Sequence, residues 1–418
     1  MQGSMDMSVE KVVIWGAGNQ FEKWHRVIKG MDDYIDIVVD SYVDKDEIYG
    51  HKIFKPEILQ SDYYKVKTVV IMASALYYSD ILNFLRKDYG FSEDRILSAE
   101  EWIGTGLERS LMRIHPMEVA IDASTACQLD CLNCYMRKHN SGAVGSGVLK
   151  YEDFECFIYR NPHITKVELS NSGEPFLNPD MERILEFAYK MKVDVTLLNG
   201  VNFNNVSERV IEALVKYNVK AITFSIDGAS QETYSIYRRK GNFNTVINNL
   251  KLLNEYKKKY RSREPEMVWQ FILMEHNEDD IYKAKIMASE LGMNMFYKLD
   301  WGGNYNPREP EKVEAVTGLD YFKPDYFKKE KHKASIQHDY LQFCHQMIFQ
   351  PRINWDGRLL GCCTVYRDDW KINCFSGEDL DEYVNRPEYK SAVASILKRK
   401  PVTAQGPCLN CKFNQKAK

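Results

Sequence analysis

At 418 residues, the chain is too long for one typical domain, and two or three are expected. Its 56 Lys and Arg against 59 Asp and Glu, a net charge of −3, give no basic field of the kind that nucleic acid attracts. No apolar run reaches the roughly eighteen residues that a membrane span needs, and the 44% hydrophobic fraction is that of an ordinary globular core. Residues 1–8 have no apolar signal core and read as a tag remnant ahead of the native start. Ten cysteines in a chain without such a signal argue against a disulfide framework and for a cytoplasmic metalloprotein.

Residues 8 to 105 alternate strand and helix signals. Val12 to Trp15 reads as a short apolar strand that runs straight into Gly16-Ala17-Gly18, followed by a helix pattern through Phe21, Trp24, Val27 and Ile28. Ile35 to Val39 reads as a second strand ending at Asp40. Thr68 to Ala73 reads as a third, with a helix through Ile81, Leu82 and Leu85. A strand, a glycine turn, a helix and then an acidic residue is the logic of dinucleotide binding: a helix N-terminus meets a phosphate and a carboxylate meets a ribose. Phe21 stands where a third glycine would, so a standard dinucleotide geometry is not expected, and at most weak binding of a nucleotide or nucleotide-sugar is. With Val43-Asp44-Lys45-Asp46, Tyr49 to Ile53 and Pro56 to Leu59, the segment resembles the Rossmann-like domains found beside sugar- and glycan-modifying enzymes.

Next comes an apolar, strand-like run from Met117 to Ala123, followed by Cys127, Cys131 and Cys134 in a C-x3-C-x2-C array. Three thiolates can hold three corners of a cubane 4Fe–4S cluster and leave the fourth iron open to a small molecule. Zinc is the alternative, with His139 as its fourth ligand. Further strands follow at barrel spacing. Lys166 to Ser170 enters Asn171-Ser172-Gly173-Glu174-Pro175, with Asn178 and Pro179 suited to start the helix that carries Met181, Ile184, Leu185 and Ala188. Val193 to Leu198 ends in Asn199-Gly200, and Ala221 to Ile226 ends in Asp227-Gly228. Val268 to Met274 and Met295 to Leu299 supply the fifth and sixth strands.

The cysteine spacing just past a strand resembles the radical S-adenosylmethionine (radical SAM) superfamily. Asn171 to Pro175 is similar to that family's Gly-Gly-Glu motif, Asn199-Gly200 to its Thr-Asn-Gly turn, and Thr233 to Val246 to a segment of its peptide- and sugar-modifying branch. The resemblance implies an open (βα)6 partial barrel, not a closed one, over residues 117 to 335. It implies SAM chelated at the open iron of a cluster on Cys127, Cys131 and Cys134, and cleaved to methionine and a 5′-deoxyadenosyl radical that takes hydrogen from a substrate. It makes Ser172, Gly173, Glu174, Asn199, Ser225, Asp227 and Arg238 the SAM-binding candidates: Glu174 for the ammonium, Ser225 and Asp227 for the ribose and carboxylate, Arg238 or its neighbour Arg239 for the carboxylate. Asn133 stands where the family often has an aromatic residue, with Tyr135 just after the third cysteine, which leaves the adenine contacts open.

Residues 336 to 418 hold Cys344, Cys362, Cys408 and Cys411, spaced C-x17-C-x45-C-x2-C. Asp356-Gly357 between two apolar runs predicts a hairpin that draws Cys344 and Cys362 together. Four cysteines also suit zinc. The pattern resembles the auxiliary-cluster twitch domain, the short form of the SPASM domain, in the single-cluster arrangement of 2-deoxy-scyllo-inosamine dehydrogenase. That implies a second, fully ligated 4Fe–4S cluster that carries electrons, with Cys362 chosen over Cys363 as the ligand.

The fold class expected is therefore α/β, with a Rossmann-like domain over 8–105, the barrel over 117–335 and a twitch/SPASM-like module over 336–418. The expected function is a radical SAM oxidoreductase acting on a carbohydrate-like small molecule (a sugar, sugar nucleotide or aminocyclitol), with the auxiliary cluster taking the second electron of the oxidation. A flavodoxin- or ferredoxin-type donor, no nucleic acid and no membrane partner go with it. The alternative is a maturase that oxidises, cross-links or epimerises a peptide; a winged helix–turn–helix recognition unit would favour it, and the Rossmann-like pattern does not. A non-catalytic scaffold is disfavoured by the intact cysteines, Glu174 and Asp227-Gly228.

Overall fold

The structure, a computed structural model, describes residues 10–134, 136, 144–299, 307–319, 346–362, 368–400 and 406–410. Two compact units divide the chain. One is Met1–His115 with Lys331–Ile348 and Asp381–Lys418; the other is Pro116–Glu330 with Phe349–Leu380. The strand after Phe349 joins the barrel sheet.

The first unit is built on strands β1 (Val12–Trp15), β3 (Ile35–Val39), β4 (Glu47–Ile48), β5 (His51–Phe54), β6 (Val69–Ile71) and β7 (Ile96–Ser98), with β2 (Ile28–Lys29) paired separately to β8 (Arg113–Ile114). The six-stranded sheet runs β4-β5-β3-β1-β6-β7, parallel except for the β4–β5 pair. Val13, Trp15, Ile37, Val39, Val69 and Ile71 form its core with Leu59 and Leu85. These strands are short apolar runs because helices cover a parallel sheet on both faces. The chain leaves β1 in one direction to β3 and in the other to β6, so the ends of β1 and β6 flank the crevice where open α/β sheets take ligands.

Gly16 turns there with φ +122°, and a Cβ on it would lie 2.4 Å from the Met72 carbonyl oxygen. The Asp40 carboxylate accepts from the backbone N–H of Ala17 at 2.8 Å, Tyr42 at 2.8 Å and Val43 at 2.9 Å. The chain's own acid thus meets the amide that a phosphate would seek. Phe21 is fully buried beside Trp24, so the third-glycine position is a core position here.

The second unit carries β9 (Glu118–Ile121), β10 (Lys166–Glu168), β11 (Asp194–Val201), β12 (Ala221–Ser225), β13 (Glu266–Leu273), β14 (Asn294–Leu299) and β15 (Arg352–Ile353). All pair in parallel, in the order β14-β13-β12-β11-β10-β9-β15. Six strands in sequential order, with amphipathic helices such as Met181–Lys190 and Glu208–Lys216 between them, make a partial barrel, and β15 extends its β9 edge. Residues paired across strands share a face. One face therefore lines up Glu168 with Thr196, and Ser225 with Gln270 and Phe296. The other carries Val167, Val195, Phe224, Trp269 and Phe271. A parallel sheet with so polar an inner face departs from the usual apolar run, and marks the interior as the chemical side.

Two local expectations change. Asn199-Gly200 does not end its strand: β11 runs on to Val201 through a register shift between Leu197 and Val201. Gly200, at φ +101°, leaves room where a Cβ would lie 2.4 Å from Ser225 Oγ. Asn178 is not a helix cap. Asp180 precedes the helix at Met181, while the Asn178 amide donates to the carbonyls of Ala123 at 2.9 Å and Leu149 at 2.8 Å. It ties the turn after β10 to the segments flanking the cysteine loop.

Candidate active site

The cysteine loop leaves β9 at the C-terminal end of the barrel strands, where barrel enzymes place their chemistry. Desolvation pushes the Cys127 thiol up to about 12, and Cys131 and Cys134 lie close enough to add to that rise. Desolvation also raises Cys131, against the pull of Arg238. Thiols held this high need a cationic partner to become thiolates, which a metal cluster supplies. Arg238 Nη1 sits 3.6 Å from Cys131 Sγ, and the Asp130 and Leu132 amides bond the carbonyls of Arg239 and Tyr237 at 3.0 and 3.3 Å. The segment 237–239 is therefore a buttress for the middle of the loop.

Glu174 meets the loop from β10. Gly173, at φ +61°, places the turn so tightly that a Cβ would lie 2.5 Å from the Ala126 carbonyl oxygen and 2.6 Å from that of Ser124. The Glu174 N–H donates to Ala126 at 2.8 Å. Its carboxyl is buried: Oε2 accepts from the Asn202 N–H at 2.7 Å, and Oε1 has no hydrogen-bond partner among the described residues. Burial pushes this carboxyl up to about 7, against the backbone N–H groups of Asn202, Phe203 and Phe176. An acceptor buried without a donor is costly, and a bound cation or N–H donor relieves it.

Asp227 and Ser225 both have partners within the fold. Asp227 is fully buried; Oδ2 accepts from Arg238 Nε at 2.5 Å and Oδ1 from the Ile272 N–H at 2.7 Å. With both oxygens engaged, it holds Arg238 against Cys131. Ser225 Oγ, also buried, accepts from Gln270 Nε2 at 3.1 Å beside Gly200. The Ser172 hydroxyl accepts from Arg352. Asn199 is exposed and donates to Asn171 at 3.0 Å. Arg239 is exposed, whereas Arg238 contacts Asp227 and Cys131.

Several residues of the site carry no motif. Asn202 bridges the two halves: its amide nitrogen is 3.7 Å from Cys127 Sγ, its side-chain oxygen accepts from Gln128 at 2.8 Å, and its N–H holds Glu174. Asn204 then links Asn202 to Tyr234. Glu168 accepts from the Ser170 N–H and hydroxyl, Thr196 and the Leu198 N–H, which fixes the ends of β10 and β11. An acidic residue in mid-strand was the one available signal for it.

Of the C-terminal cysteines, Cys362 is buried in the barrel unit and Cys408 in the other, with its Sγ 3.3 Å from Met347 Sδ. Cys344, Cys363 and Cys411 lie outside the described residues, as do His139 and Tyr135. The hairpin does form at Asp356-Gly357, with Ile353 bridged to Leu359 and Gly357 at φ +87°.

Residues 121–286 match the sequence model of the radical SAM superfamily. Over those residues the chain is similar to a radical SAM core. The AdoMet-dependent heme synthase of Methanosarcina barkeri is 25% identical over 42% of this chain and 48% of its own length. The uncharacterized protein MJ0804 of Methanocaldococcus jannaschii is 29% identical over 37% of this chain and 48% of its own. The chain spans about half the length of these curated relatives. Among solved structures, Streptococcus suis SuiB, seen with S-adenosylmethionine and with its precursor peptide SuiA, superposes over 82% of this chain and 86% of its own at TM-score 0.52 and 13% identity. That likeness concerns the fold.

The residues present fit the cofactors that a radical SAM core implies, SAM and a 4Fe–4S cluster. Three thiols lie together on one loop, a glycine cradle excludes any side chain beside them, and the free buried Oε1 of Glu174 awaits a donor such as an ammonium. Among the described residues no helix is long and apolar enough to cross a membrane.

Proposed function

We propose that the protein is a radical SAM oxidoreductase acting on a hydroxylated small molecule, a sugar, sugar nucleotide or aminocyclitol. The observation that carries the reading is the pairing of the cysteine loop with a buried Glu174 whose Oε1 has no partner, at the mouth of a barrel lined by Thr196, Ser225 and Gln270. Cys127, Cys131 and Cys134 would hold the SAM-binding cluster, and Glu174 would accept from the SAM ammonium. Asp227 would keep Arg238 beside Cys131, where its positive charge favours the thiolate. The cofactors would supply reductive cleavage of SAM and abstraction of a carbon-bound hydrogen. Oxidation of a carbinol to a carbonyl then requires the substrate to lose one further electron and the hydroxyl proton. A second 4Fe–4S cluster on Cys344, Cys362, Cys408 and Cys411 is the electron acceptor of this proposal, and a flavodoxin- or ferredoxin-type protein the reductant. The sheet of the first unit supports small-molecule chemistry, since its parallel α/β order is not that of a winged helix.

Peptide modification is the second reading, supported by the likeness in fold to SuiB, which was solved with a precursor peptide. Anaerobic turnover with a panel of sugars, sugar nucleotides and peptides separates the two. Deuterium from one labelled class should appear in 5′-deoxyadenosine above the uncoupled background; transfer only from peptides would sink the first reading.

A further inference from the structure

The strand that closes the β9 edge reaches into the SAM site from far along the chain. Arg352 and Asp122 are both fully buried and doubly bonded: Arg352 Nε to Oδ2 at 3.0 Å, and Nη2 to Oδ1 at 3.0 Å and Oδ2 at 2.7 Å. The same Nη2 donates to the Ser172 hydroxyl. Asp122 directly follows β9, at the entrance of the cysteine loop, and Ser172 begins the turn that presents Glu174. Backbone bonds hold the strand in place, from the Ala120 N–H to the Pro351 carbonyl at 3.1 Å and from the Asp122 N–H to that of Ile353 at 3.0 Å. Two residues beyond Arg352, the Asn354 amide and then the Trp355 indole both donate to the Val144 carbonyl, at 2.9 and 3.0 Å, on the far side of the cysteine loop.

A buried ion pair is weak evidence for stability, since an apolar replacement of both partners is often as stable; its value lies in fixing one geometry among alternatives. Here the geometry fixed is the approach of the Ser172–Glu174 turn to the cysteine loop. The two have little tolerance, because the Cβ position of Gly173 lies 2.5 Å from Ala126 O.

We propose that Arg352, through Asp122 and Ser172, is a positioning residue of the SAM site: it sets where the free Glu174 oxygen stands relative to the cysteine loop, so that a strand after Phe349 governs SAM affinity without touching SAM. This rests on the radical SAM reading. The test uses anaerobically reconstituted full-length protein and measures iron content, thermal melting, SAM affinity by equilibrium dialysis, and the change in the reduced cluster's electron paramagnetic resonance spectrum when SAM is added. Arg352→Met alone strands a buried Asp122 charge and can fail to fold, so the informative variants are the paired Asp122→Leu/Arg352→Met and the single Ser172→Ala. The pair should melt near wild type and keep its iron, yet bind SAM about tenfold more weakly with a diminished spectral change; Ser172→Ala should lose roughly threefold, and Arg352→Lys should retain part of the affinity. Wild-type SAM affinity in Ser172→Ala, or in a folded, iron-replete paired variant, overturns the proposal. Failure of the wild-type protein itself to bind SAM would instead overturn the radical SAM reading.

Discussion

Both units place an acidic residue against a glycine turn at the C-terminal end of parallel strands, and the two acids behave oppositely. Asp40 gives its oxygens to three N–H groups of its own chain, among them the Ala17 amide inside the Gly16 turn. Glu174 accepts the Asn202 N–H at Oε2 and keeps Oε1 buried with no partner of hydrogen-bond geometry among the described residues. The first arrangement is complete as it stands; the second is complete only with a donor from outside. A strand, glycine turn and acid in sequence do not distinguish a structural turn from a ligand site, whereas the hydrogen-bond account of the carboxylate does.

The comparison breaks most decisively at the cysteines. Reconstituted protein should hold roughly eight iron and eight sulfide, the sum of two cubanes. Replacing Cys127, Cys131 and Cys134 with alanine should abolish SAM cleavage and leave about half the iron, by colorimetric iron assay and chromatography of 5′-deoxyadenosine. Residual cleavage in that variant would move the site elsewhere.

Arg238→Ala comes next. It strands the fully buried Asp227, and breaking such a pair from one side costs about 3–5 kcal/mol. Denaturant unfolding should show that loss, while Arg239→Ala, at an exposed position, should stay within about 0.5 kcal/mol of wild type. Equal effects would contradict the assignment of the buttress to Arg238.

Glu174→Gln should weaken SAM binding about tenfold or more, since a charge-assisted bond is worth about 1.5–3 kcal/mol. It should also stabilise the protein in the absence of cofactors. Glu174 titrates near 7 when folded and near 4.5 when unfolded, so its contribution is fully favourable below 4.5 and is lost as pH rises through 7. At pH 8 the metal-free variant should therefore exceed wild type by about 1–3 kcal/mol, and near pH 4 the difference should vanish. A destabilised variant at pH 8 would show that the free oxygen is not a liability of the cofactor-free protein.

Asp40→Asn should do the reverse, lowering stability by about 1–3 kcal/mol without changing SAM affinity, because its bonds are internal. Calorimetric titration of the wild-type protein with NAD should give no stoichiometric binding; NAD co-purifying with the chain would overturn the account of Asp40 as a filled turn.

Much of this was legible along the chain. The strands alternate with helices at spacings that local burial enforces, and apolar runs such as Val12–Trp15 and Ala221–Ser225 announce themselves. The cysteine array and Asn171 to Pro175 are local too, because the chemistry needs those atoms on one short loop and one tight turn. Partnerships across the fold were not legible. That Asp227 holds Arg238 and accepts from the Ile272 amide could not be read along the chain. Asn178 reads as a helix cap until its amide is found on Ala123 and Leu149. Asn202 reads as nothing at all.

The sequence by itself determined the order of elements and the cysteine array, since these follow from side-chain periodicity and from chemistry within a few residues. Only the tertiary structure decided which buried polar groups satisfy one another and which remain open, because a hydrogen bond is a short-range fact about atoms that folding brings together from anywhere in the chain. Arg352 reaches Asp122 and Ser172 across such a distance, and Glu174 is left with one oxygen that nothing in the described chain satisfies.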